Sequence, residues 1–315
     1  MKILLSVILA IGFSAMEQSK AGGSQQQTAS DSAQAEKQPD RESLARKYET
    51  EVKTNPQSAE AWCNLGYALK DSLLMDEREQ ARKAFEEAIR LKPDYAEAYN
   101  GLAQAILPFS TCINGPRPSL KDYEESLGLH QRALLLKPDY ADAYRGFGNA
   151  CMHLKHYREA ASAFEEAIRL DPGKNRDYSR LGQAYSELGL YQQALKCFEE
   201  LTRRNNDFRL FEKEGTEFNE KRFYFYESLE RAAALYAKLG HYQEALENYR
   251  QILKDDHGHW GTHYRMGLIY IALGDRDSAF AEYEAIMNIA EATSPDRVKD
   301  IIRNDADDLL SRIRN

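Results

Sequence analysis

Two stretches of the chain, KPDYAEAYNGLAQAI at 92–106 and KPDYADAYRGFGNAC at 137–151, carry nearly the same phrase 45 residues apart. Self-similarity constrains a chain more than its length does, because a recurring unit must fold the same way each time and pack against its own copies. After the second copy, Tyr144, Phe147, Gly148 and Cys151 are followed by Ala160, Phe164, Ala167 and Pro172. Tyr178, Leu181, Gly182 and Tyr185 come next, then Ala194, Phe198 and Leu201, so that Tyr144 and Tyr178 are 34 residues apart. Tyr178, Leu181 and Tyr185 fall at i, i+3 and i+7 on one helix face, and Ala194, Phe198 and Leu201 at i, i+4 and i+7 on a second. Gly182 and Ala194 are small enough to let two helix backbones approach. Gly189 suits a left-handed helix end, and Pro172 stops the helix before it. Each unit is a helical hairpin that cannot bury its apolar face alone, so neighbours must stack.

The register extends in both directions. Trp62, Leu65, Gly66 and Leu69 with Ala81, Phe85, Ala88 and Pro93 form a first unit, and Tyr99, Leu102, Ala103 and Ile106 with Ser126, His130, Ala133 and Pro138 a second. Leu229, Ala232, Ala233 and Tyr236 with Ala245, Tyr249 and Ile252 form a fifth, and His263, Met266, Gly267 and Tyr270 with Ala279, Tyr283 and Ile286 a sixth. Pro56, Pro93, Pro138 and Pro172 each stand six residues before the aromatic that opens the next unit. The pattern resembles the tetratricopeptide repeat, W-x₂-L-G-x₂-Y, A-x₃-F and P over 34 residues. The resemblance covers roughly residues 42–290. It implies an all-α fold, a right-handed superhelical solenoid of about six helical hairpins with a leading helix and a C-terminal capping helix. The hairpins are expected near 59–93, 96–138, 141–172, 175–206, 226–257 and 260–290, within a solenoid domain spanning 41–315. Leu44, Tyr48 and Val52 mark the leading helix, and Val298, Ile301, Ile302, Leu309, Leu310 and Ile313 the apolar face of a cap over 295–313. Three, eleven and 17 extra residues interrupt the period within the first unit, within the second, and between the fourth and fifth. The second insertion contains Pro108, Gly115, Pro116 and Pro118 and reads as an irregular loop.

Residues 1–21 read as a signal peptide: Lys2, an apolar run over Ile3–Phe13, and small residues at Ser19 and Ala21, with cleavage near Ser14 or Ala15 as the alternative. The run is shorter than the roughly 18 residues that span a bilayer. Residues 22–40 are polar, low in complexity and expected to form a flexible linker. The protein is therefore expected to be exported, periplasmic or secreted, and to touch a membrane only if the signal stays uncleaved. A formal net charge of −8 without any Lys/Arg-rich run argues against binding nucleic acid or anionic lipid.

A search for chemistry finds no phosphate-binding glycine loop, no H-E-x-x-H, no G-x-S-x-G and no C-x-x-C. No cofactor is expected. Asp255, Asp256, His257, His259 and His263 form the sharpest cluster, either a metal site or a polar joint in which His263 holds the helix-opening aromatic position. Cys151 and Cys197 read as buried thiols. Cys63 and Cys112 could pair if the loop folds back, and Cys63 is the candidate for thiol chemistry. The pairs Glu86-Glu87, Glu124-Glu125, Glu165-Glu166 and Glu199-Glu200 recur with the repeat and are solvated outer faces.

The resemblance further implies that first helices line a concave groove for an extended peptide or a partner helix. Carried over by register, the groove residues are Tyr67, Asn100, Gln104, Arg145, Asn149, His153, Ser179, Gln183, Tyr264 and Leu268. Arg145 and Asn149 resemble part of the clamp some family members use for a terminal carboxylate. The later lysine and arginine of that clamp have no clear match, Arg180 and Arg231 being the candidates. The third insertion is rich in aromatics: Phe218, Phe225, Leu229 and Tyr236 share a core-facing stripe, while Phe211, Phe223 and Tyr224 are either core or an exposed partner patch. The function expected is non-enzymatic protein–protein interaction, with a protein or peptide partner. The alternatives are glycan binding with Tyr67 and Tyr264 as stacking surfaces, and a metal-dependent enzyme built on His257–His263.

Overall fold

The computed structural model describes residues 41–72, 74–107, 118–210, 215–294 and 296–314. The signal and linker expected over 1–40 lie outside these residues, as do Pro108, Cys112, Gly115, Pro116 and Phe211. From Arg41 onward the chain forms one compact unit. Among the described residues it contains fourteen α-helices and no strand.

A leading helix α1 (Arg41–Thr54) is followed by six antiparallel hairpins. These are α2 (Ala59–Leu69) with α3 (Met75–Leu91), α4 (Ala96–Ile106) with α5 (Leu120–Leu136), and α6 (Ala141–His153) with α7 (Tyr157–Leu170). The other three are α8 (Asn175–Glu187) with α9 (Tyr191–Asn205), α10 (Thr216–Lys238) with α11 (Tyr242–Asp255), and α12 (Trp260–Leu273) with α13 (Arg276–Ala292). The final helix, α14 (Asp296–Arg314), packs on both α13 and α12.

The hairpins close by ring against glycine. A Cβ built on Gly66, Gly148 or Gly182 would stand 2.7–2.9 Å from the ring of Phe85, Phe164 or Phe198, so an alanine there would displace the ring. Each ring also reaches into the following hairpin: Phe85 lies against Gly101, and His130, which replaces the phenylalanine in the second hairpin, lies against Gly146. Phe85, Phe164, Phe198 and Tyr249 are all but fully buried, each contributing about 1.5–3 kcal/mol of apolar burial. Four first helices end the same way. At α6, α8, α10 and α12 an amide bonds back to a carbonyl five residues earlier: His156 to Cys151, Leu190 to Tyr185, His241 to Tyr236 and Asp275 to Tyr270, each at 2.9 Å. This 6→1 closure needs a left-handed residue, supplied by Gly189, Gly240 and Gly274 at φ of 75° to 80° and, after α6, by Lys155 at 64°.

The regular spacing of proline and aromatic has a polar cause. The Trp62 Nε1 donates to the Pro56 carbonyl at 2.9 Å and the Tyr99 hydroxyl to the Pro93 carbonyl at 3.2 Å, pinning the joint between hairpins. Serines cap two of the helices: Ser58 Oγ accepts from the Ala61 amide at the start of α2, and Ser119, at the end of the second insertion, forms a capping box with Asp122.

Curvature follows from which helices touch. First helices pack on one another in the series α2–α4–α6–α8–α10, whereas second helices do not pack on each other to a comparable degree. Helices drawn together on one side and spread on the other bend the stack, so the first helices line the inner, concave face. The third insertion becomes a short 3-10 helix, Asn206–Leu210, and extra turns at the start of α10, which runs for 23 residues. Phe225 of those turns and Leu229, which opens the fifth unit, are buried, with Phe218 and Tyr236 packed against them.

Candidate functional site

The inner face is built from side chains on α2, α4, α6, α8, α10 and α12, and it is more internally bonded than the sequence implies. Asn100 is 1% exposed, and its Nδ2 lies 3.4 Å from the Tyr67 hydroxyl and 3.2 Å from that of Tyr140. The Tyr67 hydroxyl in turn donates to the Glu97 carbonyl at 2.9 Å. One strut thus joins the first three hairpins, and Asn100 Oδ1 is left without a partner among the described residues. Ser179 is also buried, bonded to Glu227 at 3.0 Å and accepting from Gln183 Nε2 at 3.1 Å. Asn100 and Ser179, expected to face a ligand, instead tie helices together.

Arg145 corrects the clamp expectation. Its guanidinium bonds Asp171 at 2.6 Å and Asp177 at 2.7 Å, and pairs with Asp142 on its own helix. Burial pushes the Asp177 carboxyl above the usual carboxylate range despite the arginine beside it, so Asp177 depends on Arg145 for compensation. An arginine shared among three aspartates is not free to hold a terminal carboxylate.

Gln104 and Asn149 stand in one register on α4 and α6, five residues after the opening aromatic, and both are half-buried. Neither amide is used in a side-chain hydrogen bond to a described residue. Gln183 holds the same register on α8, where it accepts from Arg180 at 3.2 Å. Beyond it lies a basic group: Arg176 and Arg180 on α8 and Arg231 on α10, with Tyr224 beside them. Burial pushes the Arg180 guanidinium below its ordinary value, and the charges of Arg176 and Arg231 push further the same way. His153, exposed at the end of α6, stacks on Tyr123 with ring centroids 4.4 Å apart. Burial and the charge of Arg180 lower its pKa.

Tyr264 and Leu268, at the far end of the inner face, are half-buried. Both pack into the cluster beneath α14, and the Tyr264 hydroxyl bonds Asp308 at 2.5 Å. The hydroxyls of Tyr67 and Tyr264, the two rings read as glycan-stacking surfaces, are thus both bonded within the stack. Phe223 is 59% exposed and Tyr224 half-buried, their rings edge to face at 5.2 Å.

Tetratricopeptide repeat profiles match residues 75–107, 141–174, 178–208 and 230–294. The chain belongs to the tetratricopeptide repeat family. Proteins with this fold mediate protein–protein interaction and are typically non-enzymatic scaffold modules. Among solved structures, YrrB, described as a tetratricopeptide protein with an unusual peptide-binding site, is 22% identical and superposes with a TM-score of 0.50. The match covers 66% of this chain and 93% of YrrB and shows the fold. PilF of Pseudomonas aeruginosa is 18% identical over 75% of this chain and 93% of its own, with a TM-score of 0.49. A thermophilic tetratricopeptide protein of Thermus thermophilus is 20% identical over 51% of this chain and 80% of its own, with a TM-score of 0.42. No curated protein matches the chain.

Within this tetratricopeptide stack the remaining chemical candidates take structural places. His263 Nδ1 bonds Glu282 at 2.6 Å and its Nε2 faces the His257 carbonyl at 3.3 Å, while His259 Nδ1 bonds Thr262. Among the described residues no three His, Cys, Asp or Glu side chains are grouped to hold a metal ion. His259 instead lines a cleft of about 160 Å³ with Arg222, Tyr226, Glu230, Ile252 and Asp256. Burial pushes the thiols of Cys63, Cys151 and Cys197 up to about 12, which leaves them protonated and poorly nucleophilic at neutral pH. The Cys63–Cys112 pairing involves a residue outside those described. Sequence reasoning missed Asp142, Asp171, Asp177 and Tyr140, whose roles follow from cross-hairpin contacts, and Arg176, which the i, i+4 spacing with Arg180 on one helix could have flagged.

Proposed function

We propose that this protein is a non-enzymatic interaction module that holds an extended peptide or partner helix along its concave face. The observation that carries the reading is the pair of unengaged, half-buried amides, Gln104 and Asn149, in one register on neighbouring first helices. A primary amide offers both donor and acceptor, so successive amides can pair with the backbone of an extended chain without regard to its side chains. YrrB is described as having a peptide-binding site; the reading for this chain rests on its own inner face. We further propose that residues 1–21 export the protein to the periplasm or the exterior, where its partner resides. Amino-terminal sequencing of the mature protein tests this, and retention of Met1 would sink it.

The groove is tested by selecting ligands from a random peptide library on the full chain and measuring a selected peptide against variants. Gln104→Ala and Asn149→Ala each remove a hydrogen bond of about 1 kcal/mol, so the double variant should bind roughly 10- to 30-fold more weakly with unchanged melting. Equal affinity for wild type and double variant would place the peptide elsewhere.

A further inference from the structure

We propose that Arg176, Arg180, Arg231 and Tyr224 form a receptor for the acidic side chains of a peptide lying along the inner face between the fourth and fifth hairpins. The proposal rests on the reading of that face as a peptide groove and adds the chemistry of what it selects.

The argument begins with two arginines one hairpin apart. Arg145 on α6 is saturated by Asp142, Asp171 and Asp177. Arg180 on α8 is as much a part of the inner face, yet its one hydrogen bond among the described residues goes to the neutral Gln183. A guanidinium carries five N–H donors, so most of Arg180's are unspent. Arg176, one turn earlier on α8, is exposed and forms no ion pair with a described residue. Of the carboxylates whose charge reaches this group, Glu227 is already bonded to the Arg231 Nε at 2.9 Å and to the Ser179 hydroxyl at 3.0 Å, Asp177 is held by Arg145, and Glu220 acts on Tyr224. Arg176 and Arg180 are thus left without an ion-pair partner among the described residues, inside a chain whose formal net charge is −8. Like charges are not gathered at a half-buried site without a cost, and an incoming anion relieves it.

Tyr224 makes the site particular to this chain. It sits in the extra turns of α10, which runs for 23 residues where α8 and α6 run for 13. Those turns bring the Tyr224 ring up to Arg176 and Arg180, close enough for both charges to act on its hydroxyl. The exposed Phe223 ring extends the wall outward. Planar guanidiniums suit planar carboxylates, which they grip with paired hydrogen bonds. The small extent of the patch selects a short acidic segment over a long polyanion, because the acidic remainder of the chain repels a polymer of phosphates.

Fluorescence anisotropy on the full chain tests the site with a labelled peptide, GSEEYEGS, amidated at its C-terminus so that no terminal carboxylate contributes, and with its counterpart carrying Gln for every Glu. The acidic peptide should bind at least tenfold more tightly than the amide form, and the preference should shrink as salt rises. Arg180→Gln should lower its affinity at least tenfold, and Arg176→Glu, at an exposed position without an ion pair to a described residue, should abolish the preference. Equal binding of the two peptides, persistence of the preference in Arg176→Glu, or no binding of the acidic peptide up to millimolar concentration would each overturn the receptor. None of these results touches the groove itself, whose library selection requires no acidic residue.

Discussion

His130 shows how a single residue departs from its repeat and what that departure does. It occupies the position of Phe85 and Phe164, is 1% exposed, and its Nδ1 has no hydrogen-bond partner among the described residues. Burial pushes its pKa down to about 3, against about 6.5 in an unfolded chain. The unfolded chain therefore takes up the proton first as pH falls. Stability that is intact above pH 6.5 is lost progressively toward pH 3, by up to about 1.4 kcal/mol per unit. In His130→Phe that loss should vanish, so the stability gap between variant and wild type should widen by about 2 kcal/mol from pH 7.5 to pH 5 in urea titrations. A gap of the same size at both pH values would show that the ring is protonated in place. The repeat pattern locates His130 but says nothing about its neighbours; only the structure sets it over Gly146. Arg145 and Asn100 teach the same lesson on the inner face. Register puts them on the correct helix, yet whether a side chain meets solvent or a partner depends on residues 26 to 40 positions away, Asp171, Asp177 and Tyr140. A single sequence carries no record of those pairings.

At the scale of helices and turns, far more was legible. The six hairpins, the leading helix and the cap were readable because each rests on local chemistry: apolar spacing of 3.6 residues, a small residue facing a ring, a proline at each joint. The extra turns of α10 were likewise legible in the stripe Phe218, Phe225, Leu229 and Tyr236. What escaped was the partition of the aromatics that follow Arg222, since a helix hides its inner face and presents its outer one with the same residue types. The turns also yield a prediction. Lys155 holds a left-handed conformation that Gly189, Gly240 and Gly274 hold at the equivalent places. A side chain there costs about 1–2 kcal/mol. Lys155→Gly should therefore raise stability by about 1 kcal/mol in chemical denaturation, and a loss of stability would mean that the lysine side chain contributes a contact that outweighs its strain.

For the whole stack, the ends and the joints matter most. Helix α14 buries Ile302, Leu309 and Ile313 against Ile286 and Ala290, roughly 5–9 kcal/mol of apolar burial. It stands where a further first helix would stand. A chain ending after residue 293 should melt at lower temperature and self-associate through the uncovered face, as read by calorimetry and light scattering. A monomer with unaltered melting would show that the last hairpin needs no cover. The strut of Tyr67, Asn100 and Tyr140 has a mechanical counterpart farther along. It braces the first three hairpins like a tie-rod, whereas α10 and α12 are the adjacent first helices that do not pack closely and are linked by the ion pair of Glu230 with Arg265. Force on the two ends is carried in series through every joint, so the stack yields where the fewest side chains must slide. The front half then behaves as a stiff beam, and the compliance of the molecule concentrates in the hinge between its fifth and sixth hairpins.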